Sequence, residues 1–246
     1  MSKPAIVVFG GSSGLGEACV QHFAERGAVG VVADVRLPLA LPEGFLFQAT
    51  NVTDEIAVQL ALEAAAALGT LRAVIVSAGV LHAERIAGRG GPANLEAFRK
   101  VIDVNLIGTF NVLRLAADAM QKNTADHDGQ RGVIVLTSSV AAYEGQIGQA
   151  AYAASKGGVA SLVLPAAREL GRAGIRVVGI APGVFETPMI QQATTEIRES
   201  LAEQIPFPPR FGHPREFASL VEHIFENRML NGTVIRLDGA LRMGPK

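Results

Sequence analysis

Short apolar runs alternate with segments of helical periodicity along the whole chain. The apolar runs lie near residues 5–9, 29–33, 45–48, 73–76, 133–138, 175–180 and 233–237. The helical patterns lie near residues 14–26, 54–68, 94–121, 151–171 and 214–226. Alternation of this kind predicts a parallel sheet whose right-handed crossovers place helices on both faces. We therefore expect a single doubly wound α/β domain over residues 1–246, with a seven-stranded parallel sheet.

A glycine-rich segment directly follows the first apolar run. It reads GGSSGLG over residues 10–16 and stands between the first strand and the first helix. Glycines at 10, 14 and 16 permit a tight turn and a close approach of the backbone, and a helix N-terminus attracts anions. A plain connector between strand and helix is the alternative interpretation. The segment predicts a pyrophosphate site at the carboxyl edge of the sheet.

An acidic residue stands where a dinucleotide site needs one. Asp34 ends the second predicted strand, eighteen residues beyond Gly16. Its carboxylate is placed to accept hydrogen bonds from ribose hydroxyls and to repel a 2′-phosphate. Arg36 is able to bind such a phosphate, but the carboxylate at the strand end should prevail. The sequence therefore predicts NAD rather than NADP as the cofactor.

Three side chains suited to proton transfer belong to one region. Tyr152 and Lys156 lie four residues apart in a predicted helix, so they share a face and the ammonium favours the phenolate. Ser139 follows a strand and lies thirteen residues before Tyr152, with Ser138 as its rival. An ordinary exposed Tyr and Lys, and a serine that only caps a turn, are the alternatives. The constellation makes Tyr152 a candidate general base.

Composition and charge exclude several other classes of protein. The chain is 49% hydrophobic, 5% aromatic and without Trp, which suits one domain of small aliphatic residues. Its formal net charge is −1 without runs of like charge, which predicts neither nucleic acid nor an anionic membrane as partner. The first strand follows Met1-Ser2-Lys3-Pro4 at once, and the single Cys19 suits a reducing compartment. We expect a cytoplasmic protein without a membrane span or a metal ion.

Taken together, these motifs resemble the short-chain dehydrogenase/reductase family, from about Ile6 to the end of the chain. The resemblance implies a Rossmann-type fold and an oxidoreductase that interconverts a secondary alcohol and a ketone. It implies that Tyr152 takes the hydroxyl proton, Ser139 hydrogen-bonds the substrate oxygen, and Lys156 also binds the nicotinamide ribose. Asn105 matches the fourth catalytic residue of the family, which anchors a water that links Lys156 to solvent.

The cofactor set expected from the loop, the acid and this resemblance is larger. It comprises Gly10, Ser12, Ser13, Gly14, Leu15, Gly16, Asp34, Asn51, Val52, Ala78, Gly79, Tyr152, Lys156, Pro182, Gly183 and Thr187. The expected substrate contacts are Ser139, Tyr152 and Gln149. Gln149 lies three residues before Tyr152 near the same helical face, although a role at the start of the helix is nearly as good an explanation.

Four stretches are most similar to the type-2 3-hydroxyacyl-CoA dehydrogenase subgroup: 129–134, 144–152, 205–208 and 234–240. The resemblance implies an (S)-3-hydroxyacyl-CoA as substrate, and a hydroxysteroid or another small secondary alcohol is the alternative. A non-catalytic nucleotide-binding scaffold is the alternative from another class, but the four intact catalytic positions favour an enzyme. The family also implies a homotetramer, for which the Ala-rich stretches 108–120 and 153–167 suit close helix packing.

Two segments without clear periodicity, 82–93 and 183–213, complete the expected substrate region. The second carries four prolines and predicts a substrate lid, with a plain surface loop as the alternative. The phosphates of a CoA need local cations, since the net charge is −1. The candidate cations in or beside the two segments are Arg85, Arg89, Arg210 and Arg215, and a solvated surface is the alternative for each.

The sequence departs from the family pattern at a few positions. Phe9 replaces a Thr before the loop, and Val76-Ser77 replaces an Asn pair. In the family these two places hydrogen-bond under the cofactor. Because both lose polar groups together, the effect on stability should be close to neutral. Asn51 replaces an Asp against the adenine, where an amide can still donate and accept hydrogen bonds. Pro165 inside the helix 151–171 should remove a backbone hydrogen bond and bend the helix beyond Lys156.

Overall fold

The computed structural model describes residues 3–191 and 194–245. Its strands are β1 (Pro4–Phe9), β2 (Val29–Asp34), β3 (Phe45–Ala49), β4 (Thr70–Val76), β5 (Ala87–Gly88), β6 (Gly91–Pro92), β7 (Gly132–Thr137), β8 (Ile175–Pro182) and β9 (Val234–Leu237). Seven of them form a parallel sheet in the order β3-β2-β1-β4-β7-β8-β9, and β5 pairs with β6 in an antiparallel hairpin. The strand order reverses between β1 and β4. This switch point is where doubly wound sheets bind ligands.

Helices connect the strands of the sheet. They are α1 (Gly14–Ala24), α2 (Glu55–Leu68), α3 (Leu95–Ile102), α4 (Gly108–Gln121), α5 (Ala150–Leu170), α6 (Pro188–Gln191), α7 (Thr195–Glu203) and α8 (Pro214–Glu226). Within the two described ranges, no helix combines the length and the apolar character of a membrane span.

The two faces of the sheet bury separate apolar clusters. Along β1, Ala5, Val7 and Phe9 face the cluster of α2, α4 and α5, whereas Ile6 and Val8 face the cluster of α1 and α8. Successive side chains of a strand point to opposite faces, so a strand covered on both sides reads as one continuous apolar run. This explains why β1 was recognisable from its sequence.

The predicted helix 94–121 contains an irregularity that the sequence pattern does not show. A turn of π-helix at Asp103–Ile107 separates α3 from α4, so that the hydrogen bonds skip one more residue there. Asn105 lies in the middle of this turn and is fully buried. The backbone irregularity thus coincides with a predicted catalytic residue.

The predicted lid segment 183–213 contains two helices, α6 and α7. Ile205 and Phe211 of this segment share a third apolar cluster with Val140 and Leu241. The segment is therefore packed against the end of the sheet that carries Ser139. The other irregular segment, 82–93, contains the β5–β6 hairpin. Residues 192 and 193 of the expected lid, and residues 1, 2 and 246 of the expected domain, lie outside the described residues.

The fold class is confirmed, since the sheet is seven-stranded and parallel with helices on both faces. Pro165 lies inside α5, as the sequence indicated. The lid is less irregular than expected, because α6 and α7 form between its prolines.

Candidate active site

The glycine loop leaves no room for a side chain at Gly10, Gly11 or Gly16. Gly10 has a φ of 79°, and a Cβ there would lie 2.5 Å from the backbone nitrogen of Ala78. A Cβ on Gly16 would overlap the carbonyl oxygen of Gly10. The loop is therefore folded tightly onto the end of β4, where Ala78 donates its N–H to the carbonyl of Phe9 at 3.0 Å. The close approach explains why glycine occupies these positions.

The other residues of the loop lie around the N-terminus of α1. Ser13 immediately precedes the helix, and its side chain makes no capping hydrogen bond. Leu15 packs against the core cluster beneath α1. A Cβ on Gly14 would come within 3.4 Å of Cγ2 of Thr187. The loop thus faces the start of the lid, which brings the predicted pyrophosphate and nicotinamide contacts together.

Asp34 faces the glycine loop from the end of β2. Its Oδ2 accepts a hydrogen bond from the backbone N–H of Ser12 at 3.1 Å, and its Oδ1 accepts one from the backbone N–H of Arg36 at 3.1 Å. The Ser12 hydroxyl donates to the carbonyl of Arg36 at 2.6 Å. The acid therefore lies beside the loop, as its spacing in the sequence predicted.

Asn51 and Val52 occupy the turn after β3. The Asn51 Oδ1 accepts from the N–H of Thr53 at 3.1 Å and from its hydroxyl at 3.0 Å. Val52 is buried, and its carbonyl accepts from Nδ2 of Asn111 at 2.9 Å. In this arrangement the Asn51 oxygen serves the turn itself, and within the described parts of the chain its amide nitrogen has no hydrogen-bond partner.

Asn105 is fixed by three hydrogen bonds of its amide group. Its Oδ1 accepts from the N–H of Val80 at 2.8 Å, and its Nδ2 donates to the carbonyl of Val80 at 2.9 Å and to Oγ of Ser155 at 3.1 Å. A Cβ on Gly79 would lie 3.3 Å from Asn105 Oδ1 and 3.5 Å from Nζ of Lys156. The segment after β4 thus runs directly past Asn105 and Lys156.

The two candidate serines after β7 have different surroundings. Ser138 is fully buried, and its hydroxyl donates to the carbonyl of Lys156 at 2.8 Å. Ser139 begins a 3-10 turn in which its Oγ accepts from the N–H of Ala141 at 3.1 Å. Ser139 is also close enough to Tyr152 for its hydroxyl to lower the pKa of the phenol. Ser138 therefore holds the Lys156 turn of α5, and Ser139 is the serine that faces Tyr152.

Tyr152 and Lys156 lie on one face of α5, as predicted. Burial raises the pKa of Tyr152, and the hydrogen bond from Ser139 lowers it in part. Burial lowers the pKa of Lys156 to about 8. The Lys156 Nζ lies 5.8 Å from the centroid of the Tyr152 ring and donates to the carbonyl of Thr137 at 2.8 Å. Without cofactor the Tyr152 pKa is therefore raised, by burial, and not lowered as expected.

Gln149 and the Pro182-Gly183 pair lie at the borders of this site. Gln149 precedes α5 and exchanges hydrogen bonds with Gln146, both at 3.3 Å. Pro182 is the last residue of β8, and the N–H of Gly183 donates to the carbonyl of Leu237 at 2.9 Å. These contacts favour a role for Gln149 at the start of α5 over a role in substrate binding.

Sequence reasoning missed Ser155, which connects two predicted catalytic residues. Its hydroxyl donates to the carbonyl of Tyr152 at 2.7 Å and accepts from Asn105, and the residue is fully buried. Its role could have been predicted from the sequence, because it is a small polar residue three positions after Tyr152 on a buried face of the helix. Thr137 was missed because it acts through its backbone carbonyl, which the residue type does not reveal.

Comparison with known proteins agrees with this geometry. A family model described as short chain dehydrogenase matches residues 4–198. The chain belongs to the short-chain dehydrogenase family. It is therefore an oxidoreductase of a family that uses a nicotinamide cofactor, and the scaffold alternative is not favoured.

Individual relatives of this short-chain dehydrogenase carry one name. The chain is 47% identical over 248 residues to 3-hydroxyacyl-CoA dehydrogenase type-2 of Rattus norvegicus. The aligned region covers 97% of this chain and 95% of the rat protein. It is 46% identical over 255 residues to the protein of the same name in Drosophila melanogaster, with both chains fully covered. It is also similar to the crystal structure of 3-hydroxyacyl-CoA dehydrogenase type-2 from Mycobacterium avium, with a TM-score of 0.93 and 45% identity over 99% of this chain and 97% of that one. The expected subgroup resemblance is confirmed.

The apolar departures from the short-chain dehydrogenase pattern face each other. Phe9 and Val76 are paired residues of β1 and β4 and lie in the same buried cluster. Because both sides are apolar, neither leaves an unsatisfied polar group. Next to them, Ser77 Oγ lies 3.4 Å from the Thr137 hydroxyl.

Proposed function

We propose that this short-chain dehydrogenase interconverts an (S)-3-hydroxyacyl-CoA and the corresponding 3-ketoacyl-CoA, with NAD as cofactor. The observation that carries the proposal is the convergence of Ser139, Tyr152 and Lys156 beside Asn105, next to the glycine loop. The acyl-CoA substrate is supported by the name that relatives about half identical over nearly their whole length share. A small molecule is thus the partner, and we propose no nucleic acid or membrane partner.

The residues around the glycine loop suit a dinucleotide. The tight packing of Gly10 and Gly16 brings bare backbone to the N-terminus of α1, where a pyrophosphate is favoured. The Asp34 carboxylate lies beside the loop, in place to accept hydrogen bonds from ribose hydroxyls and to repel a 2′-phosphate. This favours NAD over NADP. The adenine then belongs against Asn51 and Val52, and the nicotinamide against the segment from Pro182 to Thr187.

We assign the proton chemistry to four side chains. The single hydroxyl proton of Ser139 is donated to Tyr152 in the absence of substrate, which favours the phenolate, and to the substrate oxygen when substrate is bound. Tyr152 takes the hydroxyl proton during oxidation and returns it during reduction. When bound, the nicotinamide accepts or supplies the hydride. Lys156 carries the positive charge next to the phenolate. Asn105 holds the backbone of Val80 close to Lys156. Through Lys156 and a water anchored at Asn105, the proton then passes toward solvent.

Assembly and location are also proposals. We infer a homotetramer from the family and from apolar side chains exposed on the helices that would pack together: Leu95 and Phe98 of α3, Phe110 of α4, and Leu164 of α5. One domain over the whole chain and a cytoplasmic location remain the simplest interpretation.

The test is a comparison of substrates with wild type and Tyr152→Phe. Wild type should oxidise NADH with acetoacetyl-CoA at a higher kcat/KM than with steroid ketones or simple ketones. Tyr152→Phe should bind NADH as wild type does but lose about 100- to 10,000-fold in kcat, because it lacks the proton donor. More than a tenth of wild-type kcat in the variant would disprove the role of Tyr152. Efficient turnover of a steroid with none of acetoacetyl-CoA would leave a secondary-alcohol dehydrogenase of another substrate class.

A further inference from the structure

The segment between Ser139 and Tyr152 has little regular structure of its own. A single 3-10 turn, Val140–Ala142, precedes α5, which begins at Ala150. We call residues 143–149 the catalytic loop, because its position decides how Ser139 and Tyr152 face each other. A loop of this kind is held in place by contacts with other parts of the chain.

Arg236 of β9 makes the strongest of these contacts. Its two terminal nitrogens donate to the two carboxylate oxygens of Glu144 at 2.9 and 3.1 Å. Its guanidinium also lies over the ring of Tyr143, 5.6 Å from the centroid. The hydrogen bond from Arg236 lowers the pKa of Glu144 below its ordinary value. A bidentate pair fixes both distance and orientation, which a single ion pair does not.

The same guanidinium also holds the C-terminal segment, residues 238–245. Its Nε donates to Oδ2 of Asp238 at 2.7 Å, and Nη2, which also bonds Glu144, donates to the carbonyl of Leu241 at 3.0 Å. Oδ1 of Asp238 accepts from the N–H of Ala240 at 3.0 Å. Ala240 has a φ of 65°, the one positive φ at a non-glycine position in the described chain. Such backbone persists only where the surroundings enforce it.

The C-terminal segment in turn touches both the catalytic loop and the lid. The N–H of Ile147 donates to the carbonyl of Pro245 at 2.9 Å. The N–H of Gly244 donates to Oε1 of Gln204 at 3.3 Å, and Leu241 is buried against Ile205 and Val140. Arg236 is thus a common partner of two segments that border the site; the exposed Arg242 also lies 3.4 Å from Glu144 and 3.2 Å from Asp238, but only Arg236 makes the bidentate pair among the described residues.

We propose that Arg236 is a positioning residue for the reaction: through Glu144 it fixes the catalytic loop, and through the C-terminal segment it connects that loop to the lid. The inference rests on the proposed roles of Ser139 and Tyr152. Arg236 itself contacts neither of them. Its removal should therefore reduce turnover through a misplaced Ser139, while the part of the cofactor site on β1 and β2, where the adenosine and the pyrophosphate belong, is unchanged.

The kinetic experiment uses Arg236→Ala and Glu144→Gln. Each should lose about 10- to 100-fold in kcat with acetoacetyl-CoA, the loss typical of a misplacement near 1 Å, while the Kd for NADH changes less than about twofold. Arg228→Ala is the matched control. Arg228 also pairs with two carboxylates, Asp126 at 3.0 Å and Asp128 at 2.6 Å, before β7 and therefore at the opposite edge of the sheet. An equal loss in the control, or an unchanged kcat in folded Arg236→Ala, would overturn the proposal.

A titration separates positioning from mere stability and needs no substrate. The chain has two Tyr and no Trp, so in a Tyr143→Phe background the ultraviolet signal of tyrosinate reports Tyr152 alone. Adding Arg236→Ala should move its midpoint to higher pH, because the hydrogen bond from Ser139 is weakened while Lys156 stays in place. Arg236→Lys should be intermediate, since it keeps the charge and loses the bidentate geometry. An unchanged midpoint with a lower Tm would show a structural role only. This result stands even if wild type reduces no acyl-CoA.

Discussion

Lys156 places a positive charge in a site where burial opposes it. Only 4% of the residue is exposed, and burial lowers its pKa from 10.5 to about 8. The hydrogen bond that Lys156 Nζ donates to the Thr137 carbonyl offsets part of this burial cost, because the ammonium would otherwise lack that acceptor. Without cofactor, this lysine is therefore a cost to folding. Such a cost is common at catalytic positions, where function rather than stability selects the residue.

The first prediction follows from the sign of this shift. The unfolded chain retains a Lys pKa near 10.5, so it binds the proton more strongly than the folded chain, and wild-type stability rises as pH increases from about 8 to 10.5. Lys156→Met should therefore be more stable than wild type at pH 7, by about 1–3 kcal/mol after the lost hydrogen bond. Urea unfolding of the cofactor-free protein measures the difference, which should shrink above pH 8. The exposed Lys100→Met is the control, and a difference independent of pH would contradict the assignment.

Asp34 supports a second prediction at this scale, on cofactor choice. Wild type should prefer NADH over NADPH in kcat/KM, because the carboxylate beside the loop repels a 2′-phosphate. Asp34→Ala should reduce that preference about tenfold or more by removing the repulsion. In Asp34→Ala/Arg36→Ala the gain with NADPH should largely disappear, since Arg36 is then no longer available to the phosphate. Equal use of both cofactors by wild type would show that Asp34 does not face the ribose.

At the scale of elements, the sequence predicted what depends on local patterns. Strands such as β1 and β7 are nearly continuous apolar runs because both faces are covered, and the glycine loop is recognisable from a few neighbouring residues. The π-turn at Asp103–Ile107 was not predictable, because one extra residue per turn barely alters the apolar periodicity of 94–121. The network of Arg236 and Glu144 was equally hidden, since its partners are 92 residues apart and meet only in the folded chain.

α5 offers a prediction about helix stability. Pro165 is exposed, removes a backbone donor and lies nine residues beyond Lys156. Pro165→Ala should raise the free energy of unfolding by about 1–3 kcal/mol through the regained hydrogen bond and the better helix propensity. Thermal and urea unfolding measure it, with Ala166→Gly as a control of the opposite sign. Because the catalytic turn of α5 precedes the proline, kcat should stay the same. A destabilised Pro165→Ala would show that the bend of the helix is needed for packing.

At the scale of the whole molecule, charge constrains the proposed substrate. A chain of net charge −1 offers no general attraction to a CoA, so the phosphates must be met by particular side chains. Of the four arginines considered, Arg210 pairs with Glu216 at 2.8 Å and Arg215 pairs with Glu25 at 2.8 Å. Arg85 and Arg89 are exposed beside and within the β5–β6 hairpin, and among the described residues neither has a carboxylate within salt-bridge distance. Of these four arginines, Arg85 and Arg89 at the hairpin are therefore the two whose charge is available to bind the phosphates of a CoA.

The last prediction is that these two arginines recognise the CoA part of the substrate and nothing else. Arg85→Ala/Arg89→Ala should raise the KM for acetoacetyl-CoA about 5- to 50-fold, as two lost phosphate contacts of roughly 0.5–1 kcal/mol or more each imply, with kcat nearly unchanged. The N-acetylcysteamine thioester of acetoacetate carries the same reacting group without phosphates, so its kcat/KM should not respond to the double substitution. Added salt should mimic the substitutions for acetoacetyl-CoA alone, because it screens exposed charges. Arg172→Ala, at the opposite edge of the sheet, is the matched control. Equal losses with both thioesters would mean that the hairpin shapes the site rather than binding phosphate.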